Sequence, residues 1–189
     1  MFKRSDTRSD DDLVDACNGG GGEEAARAFS LLYRRHRDYV LRIALRLTGD
    51  RELAADALQE VFAYLLRQFP PPGPGLTLTA RFTTYLYPIA KNTTLSLLRK
   101  ARRLPDIDVD PDDLAGDADP GNTGDDLDRL LGSLSPERRE VLTLRFVDGM
   151  TLDEIALALD IPLGTVKSRL HNAIRMLRED PAAKKFFEA

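Results

Sequence analysis

The sequence predicts an all-α protein: two small helical domains joined by an acidic flexible linker, the second of them a helix-turn-helix domain. Three observations carry this. Apolar residues recur at three- and four-residue steps over residues 25–103 and again over 127–180, the period of helices with one buried face. Between them, residues 104–128 hold ten Asp and no Lys or Arg, with several Pro and Gly, a composition that buries too little apolar surface to fold alone. The second helical segment also contains two helix starts close together, Ser135-Pro136 and Thr151 with Glu154, and short turns between capped helices are the mark of a helix-turn-helix.

In chain order, residues 1–24 are polar and acidic and end in Gly19–Gly22, a flexible joint, with a short helix expected over 11–16. Phe29, Leu32, Tyr33, His36, Val40, Ile43, Ala44 and Leu47 then line one side of a long helix that Thr48-Gly49-Asp50 ends. His36 has no second metal-type ligand nearby and reads as a structural or surface residue. A second helix spans 51–69, with Leu58, Phe62, Leu65 and Leu66 as its inner face. Asp56, Gln59, Glu60 and Ala63 form another stripe, which by itself reads as a solvated face.

Pro70–Gly75, PPPGPG, is a loop. It is no phosphate-binding loop, because no strand precedes it and no GK[ST] follows. A third helical region covers 81–103 with Pro88 inside it. A proline there removes a backbone hydrogen bond at a cost of about 3 kcal/mol, which predicts a kink near 84–88, or a short helix followed by a new one. From Lys91 to Arg103 this region has five basic residues and no acidic one, preceded by Phe82, Tyr85 and Tyr87. Aromatic rings beside cations suit an unstacked nucleic-acid strand, whose bases stack and whose phosphates pair; core packing accounts equally well for the same rings. In the linker, DIDVDPDD imitates a calcium loop, but Pro111 stands where the turn needs glycine and no Glu closes the loop.

In the second domain, Ser135 is an N-cap and Pro136 a first-turn proline, Gly149 supplies the stop, and Thr151–Glu154 is a capping box. Leu152, Ile155, Ala156 and Leu159 give the next helix its apolar side before Asp160-Ile161-Pro162 ends it. On the last helix, Val166, Leu170, Ala173 and Leu177 form the buried stripe, with Ile174 at its edge. Opposite lie Gly164, Ser168, His171, Asn172 and Arg175, flanked by Lys167 and Arg169, and no acid occurs from Thr165 to Arg178. Such a face suits the major groove, with cations for phosphates and Arg, Lys, Asn and Ser for base edges.

The totals narrow the classes. The 189 residues allow one or two domains, and 42% hydrophobic residues support real cores while 31% charged residues point to a soluble protein. No apolar run approaches the ~20 residues that cross a bilayer. The N-terminus has no apolar stretch after its basic residues, unlike a secretory signal. A lone Cys17 excludes an internal disulfide and fits a reducing, cytoplasmic setting. The two histidines are isolated and the dense Asp cluster lies in the linker, so no metal site, cofactor site or catalytic centre is expected. The net charge of −4 matters less for DNA binding than its distribution.

Three segments resemble the extracytoplasmic-function (ECF) sigma factors of bacterial RNA polymerase: LTGDRELAADALQEVF at 47–62, YLYPIAKNTTLSLLRK at 85–100 and IPLGTVKSRLHNAIRMLR at 161–178. Their order around an acidic linker makes the resemblance specific, and it covers nearly the whole chain beyond the first ten residues. It implies a sigma region 2 domain at 25–103, a linker at 104–126, a sigma region 4 domain at 127–180 and a tail at 181–189. It implies that Asp56, Gln59 and Glu60, with Phe62 beside them, dock on the clamp helices of core RNA polymerase, and that the second domain meets the flap on the −35 side. Asn92 matches a position that contacts the −10 strand, with Lys91, Phe82 and Tyr85 in reach, and the loop at 70–80 matches the place where a flipped base is captured. Lys167, Ser168, His171 and Asn172 match −35 contacts of the recognition helix, and Arg145 matches one from the preceding helix; Arg175 joins them from the helical face alone. The linker would follow the polymerase's basic RNA channel. An anti-sigma protein is a further partner the resemblance suggests, and membrane insertion is not expected.

The chain departs from the family pattern at Tyr85 (usually Trp), Pro88 (usually basic), Ser96 (usually Asp) and the PPPGPG loop, all in the part that would melt and read the −10 element. The rival readings are a stand-alone helix-turn-helix regulator binding duplex DNA as a dimer, a nucleic-acid enzyme, and an adaptor that binds polymerase without reading DNA.

Overall fold

A computed structural model describes residues 7–19, 21–70, 73–102 and 131–179, and no strand occurs among them. The expected linker at 104–126 and tail at 181–189 lie outside the described residues.

The first domain has four helices. α1 (Asp10–Asn18) is longer than expected because Ser9 and Asp12 form a reciprocal capping box that starts it early. Leu13, Val14 and Cys17 of α1 are buried, and α1 packs along α2 (Gly22–Thr48). The glycine joint is shorter than expected, since Gly22 already opens α2. Asp10 ties the two helices: its carboxylate accepts from Arg35 Nη1 at 3.0 Å and lies 2.8 Å from His36 Nε2. The hydrogen bond with His36 is the main cause holding the Asp10 carboxyl below its ordinary range, against the opposing effect of burial. His36 is buried, its ring 4.9 Å from that of Phe82 and edge-on to it, so it serves structure, as expected.

Gly49 ends α2 with φ 64°, and its N–H bonds to the Leu45 carbonyl at 2.9 Å. Asp50 caps α3 (Arg51–Gln68), accepting from the amides of Glu52 and Leu53. The buried side of α3 is Ala54, Ala57, Val61, Phe62 and Leu65, with Leu58 partly covered. Leu66, expected inside, is 56% exposed, because the packed stripe of α3 is narrower than its apolar composition. After α3, Asn18 tethers the loop: its side-chain amide donates to the Leu76 carbonyl at 2.7 Å and accepts from the Leu76 amide at 2.8 Å.

α4 (Phe82–Ala101) is one helix with Pro88 inside it, and the break into two helices does not occur. Phe82, Leu86, Tyr87, Ala90, Leu95 and Leu98 are buried along it. At about 1.5–3 kcal/mol for each large apolar side chain, their burial outweighs the bond that Pro88 forfeits.

In the second domain, α5 (Pro136–Phe146) starts after Ser135, whose carbonyl accepts from the amides of Arg138 and Arg139. The expected side-chain cap is absent: the Ser135 hydroxyl donates to Glu137 Oε2 at 2.6 Å instead. Gly149, φ 65°, makes the turn. Both halves of the Thr151–Glu154 capping box form and begin α6 (Leu152–Leu159). Asp160, with φ 53°, reverses the chain, and α7 (Leu163–Glu179) follows Pro162, whose carbonyl accepts from Thr165 and Val166. Leu134, Val141, Leu144, Met150, Ile155, Ala158, Val166 and Ala173 are the buried side chains among the described residues here. The two domains meet where α6 lies against α4.

Candidate nucleic-acid and polymerase interfaces

The candidate recognition surface on α7 is built from below. Val166 and Ala173 are fully buried and Leu170 packs against the core, which fixes the rotation of the helix and turns Lys167, Ser168, His171 and Arg175 to solvent. Asn172 is half-buried at the edge of that face. The Ser168 hydroxyl donates to the Thr165 carbonyl at 2.9 Å, one turn back. Arg145 is exposed at the end of α5, and its Nη1 donates to the Met150 carbonyl at 2.9 Å, bracing the turn that leads into α6. Five of the six side chains expected on this surface thus share α7, while Arg145 comes from the helix before the turn.

On α3, Asp56, Gln59 and Glu60 are all exposed and lie on one side, a carboxylate–amide–carboxylate patch. Phe62 is 5% exposed beneath it, edge-on to Phe29 and to Tyr33, with ring centroids 6.2 and 4.8 Å away. It supports the patch and presents no surface of its own.

The residues expected on α4 divide. Phe82 is 2% exposed, held between His36 and Tyr85, and is a core residue in this conformation. Tyr85 is half-buried, its hydroxyl pKa raised by burial and by the neighbouring Tyr64. Together with Tyr64, Thr79, Pro88, Ile89 and Leu157 it lines a cavity of about 250 Å³. Asn92 is exposed. Lys91 is half-buried and engaged: its Nζ donates to both oxygens of Glu140, at 2.8 and 3.0 Å. Tyr87, read from sequence only as one of three aromatic rings, also donates to Glu140. Burial first, then the Glu140 charge, pushes its phenol well above the ordinary range.

Sequence reasoning missed the junction that makes these contacts. Arg81 donates to both carboxylate oxygens of Glu154 and to the Gly149 carbonyl, and Arg46 donates to Asp148 Oδ2 at 3.1 Å. Burial raises the Glu154 carboxyl, but the bonds from Arg81 and Thr151 outweigh it and hold it below its ordinary value. No periodic signal identifies these partners, because each pair is 49–102 residues apart in sequence.

Both helical domains are similar to those of known proteins. The family model described as "Sigma-70 region 2" matches residues 32–104, and "Sigma-70, region 4" matches residues 124–177. The ECF RNA polymerase sigma factor SigL of Mycobacterium tuberculosis is 35% identical over 167 residues, covering 85% of this chain and 92% of SigL. This chain belongs to the ECF sigma factors. SigE of Mycolicibacterium smegmatis is 32% identical over 171 residues, covering 84% of this chain and 63% of that longer sigma factor. The fold is also that of the sigma factor RpoE from Bartonella quintana, solved with the anti-sigma factor NepR: TM-score 0.56, 20% identity, covering 80% of this chain and 94% of RpoE. With region 2 matched where a stand-alone regulator would carry a dimerisation or ligand domain, the sigma-factor reading stands over that rival. No helix among the described residues is long and apolar enough to cross a membrane.

Proposed function

We propose that this sigma factor binds core RNA polymerase and directs initiation at promoters by reading −35 and −10 elements, with no catalytic site of its own, in the cytoplasm. The observation that carries the reading is the exposed, acid-free face of α7, which a capped helix-turn-helix presents to solvent. Lys167, Ser168, His171, Asn172 and Arg175 read or position the −35 duplex in the major groove, helped by Arg145 from α5. Asp56, Gln59 and Glu60 dock on the polymerase clamp helices while Phe62 stiffens the helix beneath them, and the second domain meets the flap.

Tyr85, Lys91 and Asn92 face the separated −10 strand, and Phe82 holds Tyr85 in place from behind. The division of labour follows residues 25–103 and 127–180. An anti-sigma protein is a further partner of such a factor. Footprinting of the reconstituted holoenzyme tests the assignment: Lys167→Ala with Ser168→Ala should remove −35 protection and spare polymerase assembly. Unchanged −35 protection would overturn the role of α7.

A further inference from the structure

The stretch between α3 and α4 is tied down at three points. The Gly73 amide donates to the Phe69 carbonyl and the Gly75 amide to the Gln68 carbonyl, both at 3.0 Å, which folds the chain back over the end of α3. Gly75 has φ 93°, and a Cβ there would stand 3.2 Å from Asn18 Oδ1, so conformation and space both call for glycine. Leu76 comes next and is buried, which leaves its backbone amide and carbonyl both in need of partners. One side chain serves both. The Asn18 carboxamide donates from its nitrogen to the Leu76 carbonyl and accepts at its oxygen from the Leu76 amide.

Asn18 is the last residue of α1, whose Leu13, Val14 and Cys17 are sunk into the core of the first domain. A packed helix thus sets the place of Leu76, and with it the course of Thr77–Ala80, which follow directly. Those four residues wall the cavity that Tyr85 lines from the α4 side. The same cavity offers the rings of Tyr64 and Tyr85, on which a base can stack. It also offers the Thr84 hydroxyl, buried and without a hydrogen-bond partner among the described residues. Buried polar groups are generally paired, so an unpaired one on a cavity wall marks a place for a polar edge.

We propose that Asn18 is a positioning residue for −10 reading: by clamping both backbone groups of Leu76 it presets Thr77–Ala80 against Tyr85, so the cavity is formed before an unstacked base arrives. The role in reading rests on the proposed −10 role of α4; the tether does not. It gives α1, to which neither candidate nucleic-acid face belongs, a share in promoter specificity. An untied loop that forms the wall about a tenth of the time lowers the apparent affinity for the base about tenfold.

Two full-length variants and a control test this. Asn18→Ala removes both bonds, while Asn18→Asp keeps the acceptor but sets a carboxylate oxygen against the Leu76 carbonyl. Val14→Ala trims buried packing in the same helix and controls for stability alone. Hydrogen exchange of the free proteins reads the tether: the Leu76 amide should exchange about tenfold faster in Asn18→Ala than in Val14→Ala. Equal exchange would overturn the tether. Reconstituted holoenzyme transcribing a library randomised in both promoter elements reads the function. Both Asn18 variants should lose about tenfold in base preference at one −10 position, with −35 preference and core binding unchanged, and Val14→Ala should keep the parent's preference. Full preference in both Asn18 variants, or a loss shared by Val14→Ala or by the −35 element, would overturn the positioning role and leave the −10 reading of α4 standing. A parent with −35 preference and none at −10 would overturn that reading, and the positioning role with it.

Discussion

The outer face of α7 and the side of α4 that carries Tyr85, Lys91 and Asn92 are made of similar parts, cations set among hydrogen-bonding or aromatic side chains, yet they stand in different states. Lys167, Ser168, His171 and Arg175 face solvent. Lys91 and Tyr87 are clasped by Glu140, and Leu157 lies at the cavity that Tyr85 lines. The difference teaches that residue type sets what a face is able to bind, while its neighbours in the fold set when it is available. The α7 face proposed for −35 reading is open, whereas on the α4 side proposed for −10 reading Lys91 is engaged and Asn92 is exposed.

Four changes break or sharpen that contrast. The largest effect is expected from Asp56→Lys with Glu60→Lys, which reverses the exposed α3 patch and belongs to neither nucleic-acid face. It should abolish binding to core polymerase in a native gel while leaving the melting temperature and −35 duplex binding unchanged. Next, Phe82→Ala should lower folding stability by about 3–5 kcal/mol in a denaturant titration, as expected for a buried aromatic ring. Asn92→Ala, on the exposed side of the same helix, should leave stability unaltered; a stable Phe82→Ala protein would return that ring to the binding face.

On the open face, each lost base contact among Lys167, Ser168 and Asn172 should cost about 1–3 kcal/mol in −35 duplex affinity. Fluorescence anisotropy against matched and scrambled sites measures it, and an equal loss on both sites would mark the residue as a phosphate contact only.

The smallest effect concerns pH. Glu154 is held below its ordinary value of 4.5 because the bonds from Arg81 and Thr151 outweigh burial. A carboxylate lowered in this way contributes stability above 4.5 and loses it as pH falls through the lowered value. Thermal melts should therefore fall off below about pH 4.5, and less steeply in Arg81→Ala, which lacks one of the two partners. Identical slopes would mean the Arg81–Glu154 contact contributes nothing in solution.

Much of this was legible in the sequence, for physical reasons that differ between regions. The α7 face could be read because a single helix contains both its buried stripe, Val166, Leu170 and Ala173, and its polar side. The α6 start could be read because a capping box is made by residues three apart. The state of α4 could not: whether Phe82 meets a base or a core is decided by His36 on another helix, and Lys91 by Glu140 in another domain. Ser135 makes no side-chain cap, and its hydroxyl donates to Glu137, two residues on. Pro88 failed to split α4 because the packing around it is worth more than the bond it removes.

Transcription in vitro with purified core polymerase and a randomised promoter library, with and without this protein, tests the central claim most directly. The account predicts discrete new start sites that share one −35/−10 pair and disappear with Lys167→Ala and Ser168→Ala. Start sites that ignore those substitutions, or none at all despite tight binding to core, would contradict it.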